Sequence, residues 1–194
     1  DYSLLAWAQQ AKIEARNCNT APINISGLKK IISTIRSMSV LSPEVFCPEL
    51  KNLFSDNGIA LIFLPHIKDS ALHGASFYDG KKIVVGLTVR GKYADKFWFS
   101  LFHEIAHIIY GHIGQANGTS DDDEKKADLF ARETLVPSES LKSFVQDRIF
   151  TTETLMQFAD SISIDVGILV GRLQHDGIIR HNQFNNLKRQ YILS

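Results

Sequence analysis

Helical spacing of hydrophobic residues dominates the first part of the chain. In segments 2–16 and 26–39, apolar or alanine residues recur every three to four positions, as on one face of an amphipathic helix. Ser42 and Pro43 then have the form of a helix N-cap followed by a first-turn proline, and a third helix is predicted from there to about Phe54. The N-terminal part of the chain is therefore predicted to be helical.

The pattern becomes extended in the middle of the chain. IALIFLP at 59–65 is a continuous apolar run of the length of a buried strand. GASFY at 74–78 and KKIVVGL at 81–87 are separated by Asp79 and Gly80, a strong signal for a tight hairpin turn. These segments predict one small antiparallel sheet of about three strands.

Helical periodicity returns at Tyr93 and continues towards the C-terminus. The predicted elements are FWFSLFHEIAHIIYGH at 97–112, an acidic loop at 117–123, EKKADLFARETL at 124–135, a helix capped after Val136-Pro137-Ser138, short helices at 151–161 and 165–174, a turn and an extended piece from 176, and a terminal helix at 184–191. Together with the strands, this pattern predicts an α+β fold, with helices around one small sheet.

Composition narrows the class of protein. The 194 residues are 44% hydrophobic and 22% charged, which is ordinary for a globular protein. The 21 basic residues balance 21 acidic ones, so there is no overall electrostatic case for nucleic acid or an anionic membrane as partner. Cys18 and Cys47 are too few for a disulfide framework and suit a reducing compartment. Without a long apolar run or a signal peptide, we expect a cytoplasmic protein with no membrane span.

The stretch HEIAH places two histidines four residues apart in an otherwise apolar helix. His103 and His107 share one helix face and can bind one metal ion, and Glu104 can reach a water on that metal without being a ligand. The alternative is that both histidines are satisfied core or cap residues. The flanking residues predict a helix buried on most sides, where two unpaired histidines and a carboxylate would cost several kcal/mol. A metal site removes this cost and is the favoured interpretation.

A catalytic zinc needs a third protein ligand and one open position. Glu124 lies on the next predicted helix, as does the third ligand of zincins that use a glutamate, and Asp128 one turn later can fix a ligand histidine by a hydrogen bond. The alternative is a solvated acidic helix start, favoured by the helix dipole. We adopt that alternative for Asp121 to Asp123, and the ligand hypothesis for Glu124.

The remaining candidates have weaker support from the sequence. His112 lies five residues after His107, about 140° around an ideal helix, so it is predicted to be a helix C-terminal cap that points away from the metal. Four other side chains are candidates for lining the cleft or stabilising an oxyanion, without a predicted position: His66, His73, Tyr78 and Tyr110.

Several motifs resemble the ImmA/IrrE-type metallopeptidase family, over most of residues 5–191. The motifs are GKYADKFWFSLFHEIAHIIYGH, EKKADLFARETLVP, FADSISIDVGILVGRLQHDGII followed by NNLKRQY, and LLAWAQQAKIEA near the start. The last two resemble a subgroup in which this domain follows an N-terminal helix-turn-helix. Ala106 stands where glycine is common in the family, and a helix interior tolerates alanine well.

The resemblance implies a zincin-like domain in which Zn²⁺ is bound by His103, His107 and Glu124, with Glu104 as the catalytic glutamate. It also implies an endopeptidase that cleaves a protein regulator, often a transcriptional repressor. The competing hypothesis is a non-proteolytic regulatory or sensor domain, or an antitoxin, with a structural or vestigial metal site, which would contact DNA only through a domain not present here. A third hypothesis is nucleic-acid binding by a loose basic cluster, against an ordinary solvated face: Arg172, Arg180, His181, Lys188 and Arg189.

The predicted organisation is one continuous globular unit with three parts. These are an N-terminal helical segment (1–57) that packs on the core, a metallopeptidase core (58–137) and a C-terminal helical region (138–194). The sequence opens with Asp1 and not with Met, so both a processed native start and a piece of a longer chain stay open.

Overall fold

The computed structural model describes residues 2–65, 73–88, 92–115, 118–146 and 149–191. Within these ranges the α-helices are α1 (Tyr2–Ala15), α2 (Ile25–Lys30), α3 (Ile32–Ser37), α4 (Pro43–Ser55), α5 (Ala94–Tyr110), α6 (Asp121–Leu135), α7 (Ser138–Gln146), α8 (Thr152–Ser161) and α9 (Val166–His175). The strands are β1 (Ile59–Leu64), β2 (Gly74–Asp79), β3 (Lys82–Thr88), β4 (Lys92–Tyr93) and β5 (Gln190–Tyr191). Two short 3-10 helices span Met38–Val40 and Asn185–Leu187. The predicted α+β class is confirmed.

The main sheet is mixed, and the prediction of an antiparallel sheet was wrong. Its strand order is β1-β3-β2, and β3 is parallel to β1 and antiparallel to β2. The tight turn at Asp79 and Gly80 makes the β2–β3 pair antiparallel. Strand β1 is apolar along its whole length, as strands covered on both faces are, and it pairs with β3, which is also almost entirely buried.

Helices cover both faces of this sheet. On one face, α1 packs Trp7, Ala11 and Ala15 against the strands. The Trp7 ring lies on Gly86 so closely that a Cβ at this glycine would be 2.5 Å from the ring, so only glycine fits there. On the other face, α4 and α5 contribute to the main hydrophobic core, where Phe46 and Trp98 are fully buried.

Two predicted helices differ in the structure. The segment 26–39 is divided at Ile31 into α2 and α3, and Arg36 on α3 donates hydrogen bonds to the carbonyl oxygens of Thr134 and Leu135 at the end of α6. The terminal helix predicted at 184–191 is absent from the described residues, which form a 3-10 turn there followed by β5. The buried Tyr191 hydroxyl accepts a hydrogen bond from Trp98 Nε1 at 2.8 Å, which fixes this segment as an extended strand on the core.

Helix α5 runs through the main core and ends at Gly111. This glycine has φ of 71°, the left-handed conformation that commonly terminates helices. Among the described residues, no single helix is both long and apolar enough to cross a membrane, and the one adjoining pair that meets both criteria, α8 with α9, is bent by 108°.

Candidate metal centre

Helix α5 positions the two histidines and the glutamate of HEIAH. One turn apart, His103 and His107 direct their imidazoles to the same side of the helix, and their Nε2 atoms are 2.9 Å apart. His107 and Glu104 are each 6% exposed, so both are effectively inside the protein, whereas the His103 side chain is 19% exposed. The histidine cluster therefore opens to solvent on the His103 side.

Helix α6 brings the third predicted ligand to this cluster. Ala127 and Ala131 are fully buried, and such small side chains permit a close approach of α6 to its neighbour. Glu124 Oε2 lies 3.2 Å from His103 Nε2, and its Oε1 lies 3.5 Å from His107 Nε2. Ligand atoms about 2.05 Å from a tetrahedral ion are about 3.3 Å from one another. The observed distances are close to that spacing.

The chemistry of these donors also fits a cation. Asp128 Oδ1 is 2.8 Å from His103 Nδ1, the contact predicted from the sequence, and it fixes the proton of His103 on Nδ1. The lone pair of His103 Nε2 then faces His107 Nε2. Burial and the neighbouring His103 charge lower the pKa of His107, so its ring favours the neutral form that metals require. His103, His107 and Glu124 together could hold a metal ion.

The Glu124 carboxylate has a support that the sequence analysis missed. The Thr119 hydroxyl donates a hydrogen bond to Glu124 Oε1 at 2.5 Å. This threonine immediately precedes the N-cap residue Ser120, so the loop that starts α6 also fixes the direction of the carboxylate.

Glu104 lies next to the cluster but outside the set of three converging donors. Burial raises its pKa to about 7, and a hydrogen bond from Ser76 and the charge of His103 offset only part of this rise. Gly74 lies against the same carboxyl group, because a Cβ built there would be 3.0 Å from Glu104 Oε1. Strand β2 thus contacts Glu104 through two of its residues, and the carboxyl group can exchange a proton near neutral pH.

His112 contacts His107 on the side away from the other candidate ligands, a contact that its predicted helical angle did not indicate. Its Nδ1 is 3.1 Å from His107 Nδ1, and its side chain is 7% exposed. The angle of 140° assumed that the helix continues to His112, but α5 ends at Tyr110 and Gly111 turns the chain back. The backbone N–H of His112 does donate to the carbonyl oxygen of His107 at 2.9 Å, so the cap role holds for its backbone.

Asp123 also differs from its predicted role as a solvated acidic residue. Its Oδ1 is 3.2 Å from His112 Nε2, and its side chain is 15% exposed. Its Oδ2 accepts hydrogen bonds from the backbone N–H and the hydroxyl of Ser120, which lower the pKa of Asp123. Asp121 and Asp122, by contrast, are solvent-exposed at the start of α6.

The remaining candidates lie around this cluster. His66 is outside the described residues. His73 is exposed just before β2. Tyr78 and Tyr110 are about half exposed, with the Tyr78 ring against Gly114 and the Tyr110 ring near His112. Their role as oxyanion donors stays a prediction.

The basic C-terminal residues are not a uniformly solvated cluster. Arg172 is 8% exposed and donates to Asp176 at 2.7 Å. Lys188 pairs with Asp95 at 2.7 Å, and Arg189 pairs with Asp165 at 2.6 Å. Three of the five basic side chains are therefore engaged in ion pairs within the fold.

Comparisons with known proteins add no family assignment. No protein-family model matches the chain, and no curated protein matches it. Function is therefore inferred from the geometry of the site and from the resemblance of the motifs to a known family.

Proposed function

We propose that this protein is a zinc-dependent endopeptidase with a zincin-like catalytic domain. The observation that carries this proposal is the convergence of His103, His107 and Glu124 from two helices, with donor atoms within 4.8 Å of one another. Two imidazoles and one carboxylate are a ligand set of catalytic zinc sites, which keep a fourth position open. A buried carboxyl group that is not one of the three ligands lies directly beside them, as a general base must.

His103, His107 and Glu124 would hold the zinc ion, which would supply a Lewis acid for the activation of water and the polarisation of a carbonyl group. Glu104 takes a proton from the attacking water and later delivers it to the leaving amine. Its pKa of about 7 suits both steps near neutral pH. Asp128 holds the His103 ring in the tautomer whose Nε2 faces the metal.

The substrate peptide is proposed to bind along the exposed edge of β2. In the strand order β1-β3-β2, this strand lies at the end of the main sheet, and within the described residues it pairs on one side only. Gly74 and Ser76 face Glu104, while Ala75 and Phe77 pack towards α1 on the other face. An extended peptide that pairs with β2 would run past Glu104, and its position would be set mainly by backbone hydrogen bonds.

The proposed substrate class is a protein regulator of the repressor type, in the cytoplasm. Its support is the resemblance to the ImmA/IrrE family. The same resemblance supports contact with DNA only through a separate helix-turn-helix domain.

Metal analysis combined with a cleavage assay tests this function. We expect about one zinc per chain and zinc-dependent cleavage of peptides or of a repressor substrate. The double substitution His103→Ala, His107→Ala should remove both properties, whereas His175→Ala, at a histidine with a 79% exposed side chain, should remove neither.

Two results would contradict the proposal. Full zinc occupancy in the double variant would reject the metal site. Zinc binding by the wild type without cleavage of any candidate substrate would favour a regulatory domain with a structural metal.

A further inference from the structure

The second nitrogen of each proposed ligand histidine has its own partner. His103 Nδ1 contacts the carboxylate of Asp128 directly, at 2.8 Å. His107 Nδ1 instead contacts another imidazole, that of His112, at 3.1 Å. The far nitrogen of that imidazole, His112 Nε2, is 3.2 Å from Asp123 Oδ1.

We propose that His112 and Asp123 are a positioning pair that fixes the tautomer and the orientation of His107 towards the metal. This inference rests on the metal site of the proposed function and adds two residues to it. Neither residue reaches the metal side of the cluster, because His112 contacts the nitrogen of His107 that faces away from His103 and Glu124.

The hydrogen bonds allow only one proton assignment when a metal is bound. His107 Nε2 must offer its lone pair to the metal, so the His107 proton is on Nδ1. His107 Nδ1 then donates to His112 Nδ1, which must be an acceptor. The proton of a neutral His112 is therefore on Nε2, where it donates to Asp123 Oδ1, and an ionised carboxylate can only accept. Every polar atom in this chain of contacts is satisfied.

The fold holds both members of the pair firmly. Gly111 turns the chain so that the His112 ring returns under the last turn of α5, where it is 7% exposed. The backbone N–H and the hydroxyl of Ser120 donate hydrogen bonds to Asp123 Oδ2, at 3.1 Å and 2.8 Å, so that Asp123 Oδ1 can accept from His112. Glu124 is the next residue. The first turn of α6 therefore carries both a proposed metal ligand and the carboxylate that supports His107 through His112.

Zinc affinity, measured by competition with a chelator, tests the pair. A carboxylate or histidine that supports a metal ligand typically contributes about ten- to a hundredfold in affinity. We expect His112→Ala to weaken zinc binding by about that factor, and Asp123→Asn to weaken it less. His112→Asn should recover part of the loss, because its amide oxygen can accept the proton of His107 Nδ1.

Two control variants separate this role from general effects of stability and charge. Thr151→Ala removes the cap of helix α8, so it should lower the melting temperature and leave zinc affinity unchanged. Asp122→Asn removes the same charge as Asp123→Asn one residue earlier, at a side chain that is 83% exposed, and should leave zinc affinity unchanged. If Asp122→Asn weakens zinc binding as much as Asp123→Asn does, the effect comes from net charge and the proposed pair is overturned.

Nitrogen-15 NMR of the zinc-loaded wild type gives a readout that needs no variant to fold. We expect His107 to be protonated on Nδ1 and His112 on Nε2, and a His112 proton on Nδ1 would overturn the assignment. If His112→Ala binds zinc with wild-type affinity while His103→Ala loses zinc, the positioning pair is rejected and the proposed metal site is retained. Zinc that persists in the His103→Ala, His107→Ala double variant would reject the proposed site together with the pair.

Discussion

Polar side chains join both ends of helix α6 to neighbouring helices, but only one of the two ends contains a positively charged side chain at its centre. At the C-terminal end, the guanidinium of Arg172 on α9 lies 2.7 Å from Asp176 and 3.6 Å from Glu133, and it donates to the carbonyl oxygen of Val136 at 2.8 Å. At the N-terminal end, Glu124 faces two imidazole nitrogens of α5.

The difference shows why the second arrangement is a candidate metal centre. The Arg172 network contains its own cation, so its acceptors are satisfied within the chain. The donors at the other end are lone pairs directed at one another, an arrangement that a cation from solution would stabilise. We therefore expect substitutions at the two ends to affect different properties: metal binding and activity at the start of α6, and stability at its end.

Glu104→Gln is expected to have the largest effect of these substitutions, and this effect should be a loss of cleavage activity only. An amide cannot act as a general base, which contributes about 10²- to 10⁴-fold to rate. Glutamine has nearly the same shape as glutamate, so zinc content should stay at the wild-type level. Cleavage rate and bound zinc should be measured on the same preparation, and cleavage by the variant at the wild-type rate would show that Glu104 is not catalytic.

Arg172→Met is expected to have the largest effect on stability. It removes the hydrogen bonds of Arg172 to Asp176 and to two carbonyl groups, while Arg132 still pairs with Asp176, and breaking a buried ion pair costs about 3–5 kcal/mol. Urea denaturation measures the loss. Lys142→Met is the matched control, because the Lys142–Glu139 pair is exposed and such pairs contribute about 0–1 kcal/mol. Weaker zinc binding in correctly folded Arg172→Met would contradict the separation of the two ends.

Asp128→Ala should weaken zinc binding without abolishing it. Loss of the contact with His103 is expected to reduce affinity by about ten- to a hundredfold, and Glu124→Ala should reduce it more, because it removes a ligand. Chelator competition on both variants gives the order. Equal affinity in Asp128→Ala and wild type would make Asp128 a surface residue, and a loss that matches Glu124→Ala would indicate that ligand and support have been exchanged.

Asp176→Asn should destabilise the fold less than Arg172→Met, and this effect should depend on pH. Burial would raise the pKa of Asp176, but hydrogen bonds from Arg172 and His175 and nearby positive charge lower it below the usual 3.8. A depressed pKa means that the carboxylate stabilises the fold above pH 3.8 and that this contribution is lost as the pH falls through the folded-state value. The variant should be less stable than wild type by about 1.5–3 kcal/mol at pH 7.

The difference between Asp176→Asn and wild type should then decrease below pH 3.8, where the carboxyl group of the unfolded wild-type chain becomes neutral before that of the folded protein. Denaturation midpoints at pH 7 and pH 3 measure the change. A difference that is the same at both values would mean that the charge of Asp176 does not contribute to stability.

Local rules predicted the features of the site that depend on residue spacing along a helix. His103 and His107 share a helix face because they are four residues apart, and the contact of Asp128 with His103 follows from its place one turn after Glu124. The hairpin at Gly80 likewise follows from turn chemistry, and this glycine has φ of 61°.

Features that depend on where an element ends, or on what it packs against, could not be predicted in the same way. The helical angle of His112 was calculated beyond the end of the helix, although Gly111 is a recognisable helix terminator. Asp123 is the third residue after Ser120, the spacing of a capping box, and this spacing was a usable signal. The parallel pairing of β1 depends on contacts between distant segments, which local patterns do not encode.

The packing of Trp7 on Gly86 gives the protein an internal optical probe. Trp7 and Trp98 are the two tryptophans of the sequence, and they belong to separate hydrophobic clusters on the two faces of the main sheet. Replacing either one with phenylalanine leaves a single fluorophore that reports on one face. Coincident urea transitions would show that α1 unfolds together with the core, whereas an earlier Trp7 transition would show that α1 detaches first. Intrinsic fluorescence can thus follow the N-terminal helix α1 and helix α5, which carries two of the candidate metal ligands, separately in the same molecule.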